Sequence, residues 1–268
     1  RPGDLTAADG PPVGPPWPDL VIACGGATAA PAAALKRWGV PRVVFLQKPP
    51  NHAAAFDLIA APAHDGFDAP NAIATRGAPN RVTPAKLSAA AAQWRDAFAP
   101  HPRPWVALLV GGASKRHRFP PAAAAALGRA VAGFGGGSVF GTLSRRTGAE
   151  SGAALRDALA ETPGWIWDGA GDNPYFGLLG LCDAVIVTAD SVSMLCEAAT
   201  AGRPCFIADL PGGSPRFDRF HAGMRDAGYA RPLTGGFALW TPPPLDDAGL
   251  VAEAIRARFN VPAQPPIV

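Results

Sequence analysis

From Asp19 onward, short runs rich in Val, Ile and Leu alternate with alanine-rich stretches of helical length, and this alternation constrains the fold more than any other feature. A short strand that is apolar throughout must bury both faces, which it does in a parallel sheet covered by crossover helices. The pattern predicts an α/β protein. In the first half it predicts strands at 20–24, 42–46, 57–60 and 72–75, with helices at 28–38 and 84–98. Pro84 suits a helix first turn and Thr83 its N-cap. Three prolines, Pro100, Pro102 and Pro104, then forbid a helix and mark a domain boundary. The alternation restarts with strands at 105–110, 138–142, 165–167, 184–188 and 205–208. Helices are expected at 120–134, 149–160, 175–181, 191–201 and 216–227. A last helix, 246–259, follows Pro242 to Pro244. The expected organisation is an N-terminal domain over 1–100, a second doubly wound domain over 105–241, and a C-terminal helix and tail over 242–268.

Of the 268 residues 48% are hydrophobic and 17% charged, which suits one or two packed cores and excludes overall disorder. The longest apolar runs fall far short of the roughly 20 residues of a membrane-spanning helix. With a net charge of +3 and its Lys and Arg scattered, the chain carries no nucleic-acid footprint, while an anionic small substrate or a membrane surface remains compatible. Cys24, Cys182, Cys196 and Cys205 lack CxxC spacing and sit in apolar segments, as buried thiols in a reducing compartment do. His52, His101, His117 and His221 have no metal-ligand spacing, so no metal is expected. Residues 1–18 are rich in proline and glycine, with neither a methionine nor a signal peptide at their head, and read as a start partway through a protein.

Ligands of open parallel sheets bind beyond the carboxyl ends of the strands, so the loops there are where chemistry is expected. After the strand at 105–110 comes GGASKRHRF, in which Gly111 and Gly112 admit a ligand to the backbone, Ser114 offers a hydroxyl, and Lys115, Arg116 and Arg118 can counter anionic charge. It is neither a Walker loop nor GxGxxG. The next strand leads into Ser144, Arg145 and Arg146, whose guanidinium forks match phosphate oxygens. After 184–188, Asp190, Ser191 and Ser193 open a helix whose free N–H groups favour phosphate, and Glu197, one turn on, can accept from sugar hydroxyls. A helix cap at Asp190 or Ser191 with an exposed Glu197 would give the same pattern.

In the first half, His64 and Asp65 precede Gly66 after a short strand. Either could take a proton from an acceptor hydroxyl, although adjacent side chains of an extended loop point apart, which argues against a direct pair. No GxSxG elbow occurs, which disfavours an α/β-hydrolase.

Taken in order, VFLQKPP, FDLIAAPAHDG, TRGAPNRVTPAKL, WVALLVGGASKRHRF, FGTLSRRTG, AVIVTADSVSMLCEA and FHAGMRDAGYARPL resemble the bacterial homologues of the plant elongated-mitochondria fission protein, a family classed with glycosyltransferases. The resemblance runs from about residue 19 to 235. That family opens with a strand and Gly-rich loop before PDLVIACGG, where this chain has its proline-rich stretch. The resemblance implies two Rossmann-like domains facing a cleft in the GT-B manner, a nucleotide-sugar donor on the second and an acceptor on the first. Arg145, Ser191, Ser193 and Glu197 fall on its donor-binding positions, and His64 and Asp65 are expected to face the donor domain. The resulting expectation is a metal-independent glycosyltransferase without a cofactor, acting on a saccharide or lipid-linked envelope acceptor, cytoplasmic and in peripheral contact with the inner membrane. A nucleotide-sugar epimerase or hydrolase, or a non-catalytic scaffold, would share the architecture.

Overall fold

The computed structural model describes residues 13–135, 137–234 and 236–260; most of the proline-rich start and the expected C-terminal tail lie outside them. The chain divides into two units: Arg1–Pro79 with Asp247–Val268, and Asn80–Asp246.

The first unit holds four parallel strands in sequential order, β1 (Val21–Cys24), β2 (Val43–Leu46), β3 (Leu58–Pro62) and β4 (Ala72–Thr75). Helix α1 (Ala29–Trp38) packs by its small residues Ala29, Ala32 and Ala33 into a core with Val43, Phe45 and Ile59, where Phe45 stacks on Phe56 at 4.8 Å. The opposite face, Val44, Leu58 and Ala60, is covered by Val251 and Ile255 of the C-terminal helix, Asp247–Phe259. The buried Asp247 carboxylate pins the start of that helix by accepting from Arg76 N at 2.8 Å and Gly77 N at 2.7 Å.

The second unit begins with α2 (Pro84–Phe98), whose Thr83 cap accepts from Lys86 N at 3.3 Å. Six parallel strands follow: β5 (Trp105–Val110), β6 (Ser138–Leu143), β7 (Gly164–Ile166), β8 (Ala184–Thr188), β9 (Cys205–Ala208) and β10 (Ala230–Pro232). Their crossovers carry α3 (Pro121–Ala132), α4 (Ala149–Ala158), α5 (Tyr175–Leu181), α6 (Val192–Thr200) and α7 (Pro215–Asp226). The spatial order is β10-β9-β8-β5-β6-β7, the doubly wound order, which reverses between β5 and β8. All six residues of β5 are buried, as a central strand covered on both faces requires. Leu127, Val131, Leu155 and Leu159 of the α3 and α4 side line one core.

The proline run does not separate the units. Phe98, fully buried, packs on Phe140 at 4.1 Å and edge-on to Trp105 and Trp165 at 5.4 Å each. Trp105 N and Arg103 both donate to Asp183, at 2.7 and 2.6 Å, and Ser138 Oγ donates to Pro102 O at 2.7 Å. The prolines are thus a tight turn sewn into the second unit. The division lies at Pro79–Asn80, before α2, and the C-terminal helix belongs to the first unit. Strand β10 was not expected, and Cys24 is exposed rather than buried; the other three thiols are buried, and none of the four forms a disulfide. Among the described residues no helix is long and apolar enough to cross a membrane.

Candidate functional site

The reversal between β5 and β8 places two expected loops side by side. They are tied together at close range. Gly111 N donates to Thr188 Oγ1 at 2.8 Å, and Gly112 N to Asp190 Oδ2 at 3.0 Å. Asp190 Oδ1 accepts from Thr188 Oγ1 at 2.8 Å. A Cβ on Gly111 would stand 2.3 Å from the Asp190 carboxylate, and one on Gly112, at φ 138°, would stand 2.3 Å from Arg146 O, so glycine leaves room for the buried carboxylate at 111 and for the neighbouring backbone at 112. The loop after β6 joins them. Ser144 Oγ and Thr147 Oγ1 both donate to Gly111 O, the latter at 2.8 Å, and Ala113 N donates to Arg146 O at 3.1 Å.

This network revises several expected donor-binding roles. The Asp190 side chain is fully buried and forms an ion pair with Arg146 at 2.7 Å, so the two neutralise each other within the loop row. Ser114 is spent on its own turn, accepting from Arg116 N at 3.2 Å and His117 N at 3.1 Å. His117 is buried edge-on against Phe217 at 4.6 Å, and its bridge to Gly212 fastens the loop after β9 to the same row.

Arg145, in contrast, is exposed and lines an open groove of about 490 Å³ at the carboxyl edge of β6 and β7. Leu143, Ser144, Arg156, Trp167 and Asp168 line it too. The groove combines two guanidinium groups with an aromatic edge and a carboxylate, a set suited to an anionic ligand bearing a planar ring. Sequence reasoning missed Arg156, Trp167 and Asp168. The position of Asp168 directly after the strand expected at 165–167 was the signal that could have found it; Trp167 was read as part of that strand, which ends at Ile166, and Arg156 lies on α4.

Ser191 caps α6, accepting from Met194 N at 3.4 Å, and Ser193 is exposed on the first turn. Glu197 does not line the Arg145 groove. It is half-buried, and its Oε2 accepts a hydrogen bond from the Tyr175 hydroxyl. Burial pushes the Glu197 carboxyl above its ordinary value, against the opposing pull of Tyr175 and of Arg81. Arg145 after β6 and the α6 start after β8 lie two strand spacings apart, about 10 Å along the sheet edge.

In the first unit, residues 63–65 form a 3-10 turn rather than an extended loop. The turn brings His64 Nε2 and Asp65 Oδ1 to 3.6 Å, with both side chains almost wholly buried, so the expected divergence of the two is corrected.

A family model described as mitochondrial fission ELM1 matches residues 2–259. The chain is 31% identical to the Arabidopsis thaliana mitochondrial fission protein ELM1 over 89% of its own length and 63% of that protein's, so it spans less than two thirds of that relative. It is 27% identical to an uncharacterised Rickettsia prowazekii protein, over 91% of this chain and 80% of that one. Among solved structures, the Neisseria meningitidis UDP-GlcNAc 2-epimerase bound to UDP-GlcNAc is similar with a TM-score of 0.50 and 13% identity, over 90% of this chain and 76% of that one; the likeness is one of fold.

Proposed function

The chain belongs to the mitochondrial fission ELM1 family, and from its second unit we propose that it transfers a sugar from a nucleotide-sugar donor to an acceptor hydroxyl. The observation that carries this reading is the carboxyl-edge row running from the Arg145 groove past the doubly wound switch point to the capped start of α6. The nucleoside end would lie toward Trp167 and Asp168, or toward Glu197 with its carboxylate receiving ribose hydroxyls. The diphosphate would face Arg145 and the exposed Ser193 at the positive end of α6. As the bond between sugar and diphosphate breaks, negative charge grows on the departing phosphate, and a fixed guanidinium and helix terminus stabilise that charge with little reorganisation. Arg146 and Asp190 hold the loops in place for this task. His64 and Asp65 are assigned to the acceptor, the carboxylate or imidazole taking the hydroxyl proton as it attacks. A fold shared with an enzyme seen with UDP-GlcNAc supports a ligand of this class. A saccharide or lipid-linked acceptor reached from the cytoplasmic face of a membrane fits the same reading.

The test is a thermal-shift screen against nucleotides and nucleotide sugars. A ligand at 100 times its Kd stabilises the fold by about 2.7 kcal/mol. Arg145→Ala should weaken the binding nucleotide by roughly tenfold or more, the scale of one charge-assisted hydrogen bond, with the ligand-free melting temperature unchanged. No binding by the wild-type chain at millimolar concentration would overturn the reading. Conversion of UDP-GlcNAc without any acceptor, followed by NMR, would redirect it to epimerase or hydrolase chemistry.

A further inference from the structure

Tyr175 stands at the first position of α5, where Asn173 Oδ1 accepts from its backbone N at 3.0 Å. Its hydroxyl reaches α6 and donates to Glu197 Oε2. The two helices follow different strands, so the contact is a tertiary one that fixes a particular rotamer of a long, flexible carboxylate. We propose that Tyr175 is a positioning residue for ligand recognition: its hydroxyl immobilises Glu197 through Oε2 and leaves Oε1 to accept the hydroxyls of a bound ribose or sugar. The inference rests on the reading of Glu197 as a ligand acceptor given above.

Three physical arguments support it. A glutamate carboxylate has several soft torsions, and one already held in place loses less entropy when it binds a ligand. An ionised carboxylate only accepts, whereas a protonated one turns one oxygen into a donor, so recognition of hydroxyl donors needs the ionised form. Half-burial opposes ionisation of Glu197, and Tyr175 and Arg81 oppose that burial effect. The phenol itself stays protonated: burial, Glu197, and the thiols Cys196 on α6 and Cys205 on β9 all push its pKa up, so it remains a donor throughout the working range. The charged and titratable groups facing the pair are therefore Arg81 ahead of α2, Cys196 and Cys205.

The experiment compares wild type, Tyr175→Phe, Glu197→Gln and the double variant. The Glu197 carboxyl is titrated by carbon-13 NMR, and binding of UDP, GDP and ADP and their 2′-deoxy counterparts is measured from pH 5 to 8. Tyr175→Phe should move the Glu197 titration to higher pH. For the nucleotide that binds wild type, it should weaken affinity about tenfold at low pH, recover part of the loss at pH 8, and shrink the preference for the ribose form. Glu197→Gln should abolish that preference, and adding Tyr175→Phe to it should cost nothing further. If Tyr175→Phe moves the titration but leaves affinity and ribose preference unchanged, the positioning role is overturned while the nucleotide site stands. If Glu197→Gln binds as wild type does, Glu197 is no ligand acceptor and both ideas about it fail.

Discussion

Arg146 Nη1 meets Asp190 Oδ2 at 2.7 Å, joining the loop after β6 to the loop after β8 with the carboxylate fully buried and the guanidinium 42% exposed. The asymmetry decides what each substitution does. Removing Arg146 lets the solvent replace little, because the carboxylate it leaves stays buried, held by Gly112 N–H and the Thr188 hydroxyl. Arg146→Ala should cost about 1–2 kcal/mol, allowing for the exposure of the guanidinium. Asp190→Ala should cost more, about 3 kcal/mol, since it leaves two buried donors, the Gly112 N–H and the Thr188 hydroxyl, without their acceptor, while the exposed guanidinium stays open to water. Urea midpoints measure both. Nucleotide affinity of the folded Arg146→Ala protein should stay within a few fold of wild type, and a loss as large as that of Arg145→Ala would return Arg146 to direct ligand contact.

Phe98 reports where the second unit begins. Its ring is closed in by Trp105, Phe140 and Trp165, so Phe98→Ala opens a cavity in the second unit's core at about 3–5 kcal/mol. A fragment of residues 80–246 should unfold cooperatively on heating, whereas one beginning at residue 105 should not. Equal melting of the two fragments would place α2 outside the second unit's core.

Asp65→Asn keeps the shape of the side chain and removes its basicity. If Asp65 takes the acceptor proton, turnover should fall roughly 100-fold or more while nucleotide affinity is unchanged. His64→Ala, which also removes the 3.6 Å partner, should show the same division between rate and binding if the two act together. Wild-type rates in both variants, with a lower melting temperature, would make the pair a structural feature of the 3-10 turn.

His221 on α7 predicts a pH effect on stability. Burial, with Arg225 and His117 nearby, lowers its pKa from the ordinary 6.5, against the opposing pull of Asp209 and the Ala189 carbonyl. Below pH 6.5 the unfolded chain therefore binds a proton that the folded chain resists, so this contribution to stability is complete above pH 6.5 and is lost as pH falls through the lowered folded value. Glu197 slopes the other way: its raised pKa lets the folded state hold a proton longer, so stability falls as pH rises from 4.5 through the raised value. Comparing His221→Gln with wild type isolates the histidine. The stability difference between the two should be constant above about pH 6.5 and shift in favour of the variant below it; parallel curves down to pH 5 would refute the assignment.

The central strands of the second unit were legible because each is a continuous apolar run with clear turn residues at its ends, and β5, β8 and β9 lie where the pattern puts them. Strand β10 was not, since Ala230, Arg231 and Pro232 pair only as a short edge and carry no apolar run. The proline run misled because proline stiffness marks a linker and a tight turn equally, and only the burial of Phe98 separates the two. At the candidate site, the sequence shows which polar residues follow each strand, Arg145, Ser191 and Glu197 among them, but not which of them pair with one another. That Asp190 is consumed by Arg146, or that Glu197 answers to Tyr175, depends on which strands neighbour one another, and strand order is a property of the whole sheet.

The Val44, Leu58 and Ala60 face waits for Val251 and Ile255. The first unit is thus threaded discontinuously, with the entire second unit inserted between its fourth strand and its covering helix. A ribosome delivers the insert whole before that helix emerges. Once residue 246 has been made, the nascent chain carries one finished module beside a half-open sheet, and the helix that follows closes the sheet laid down before the insert.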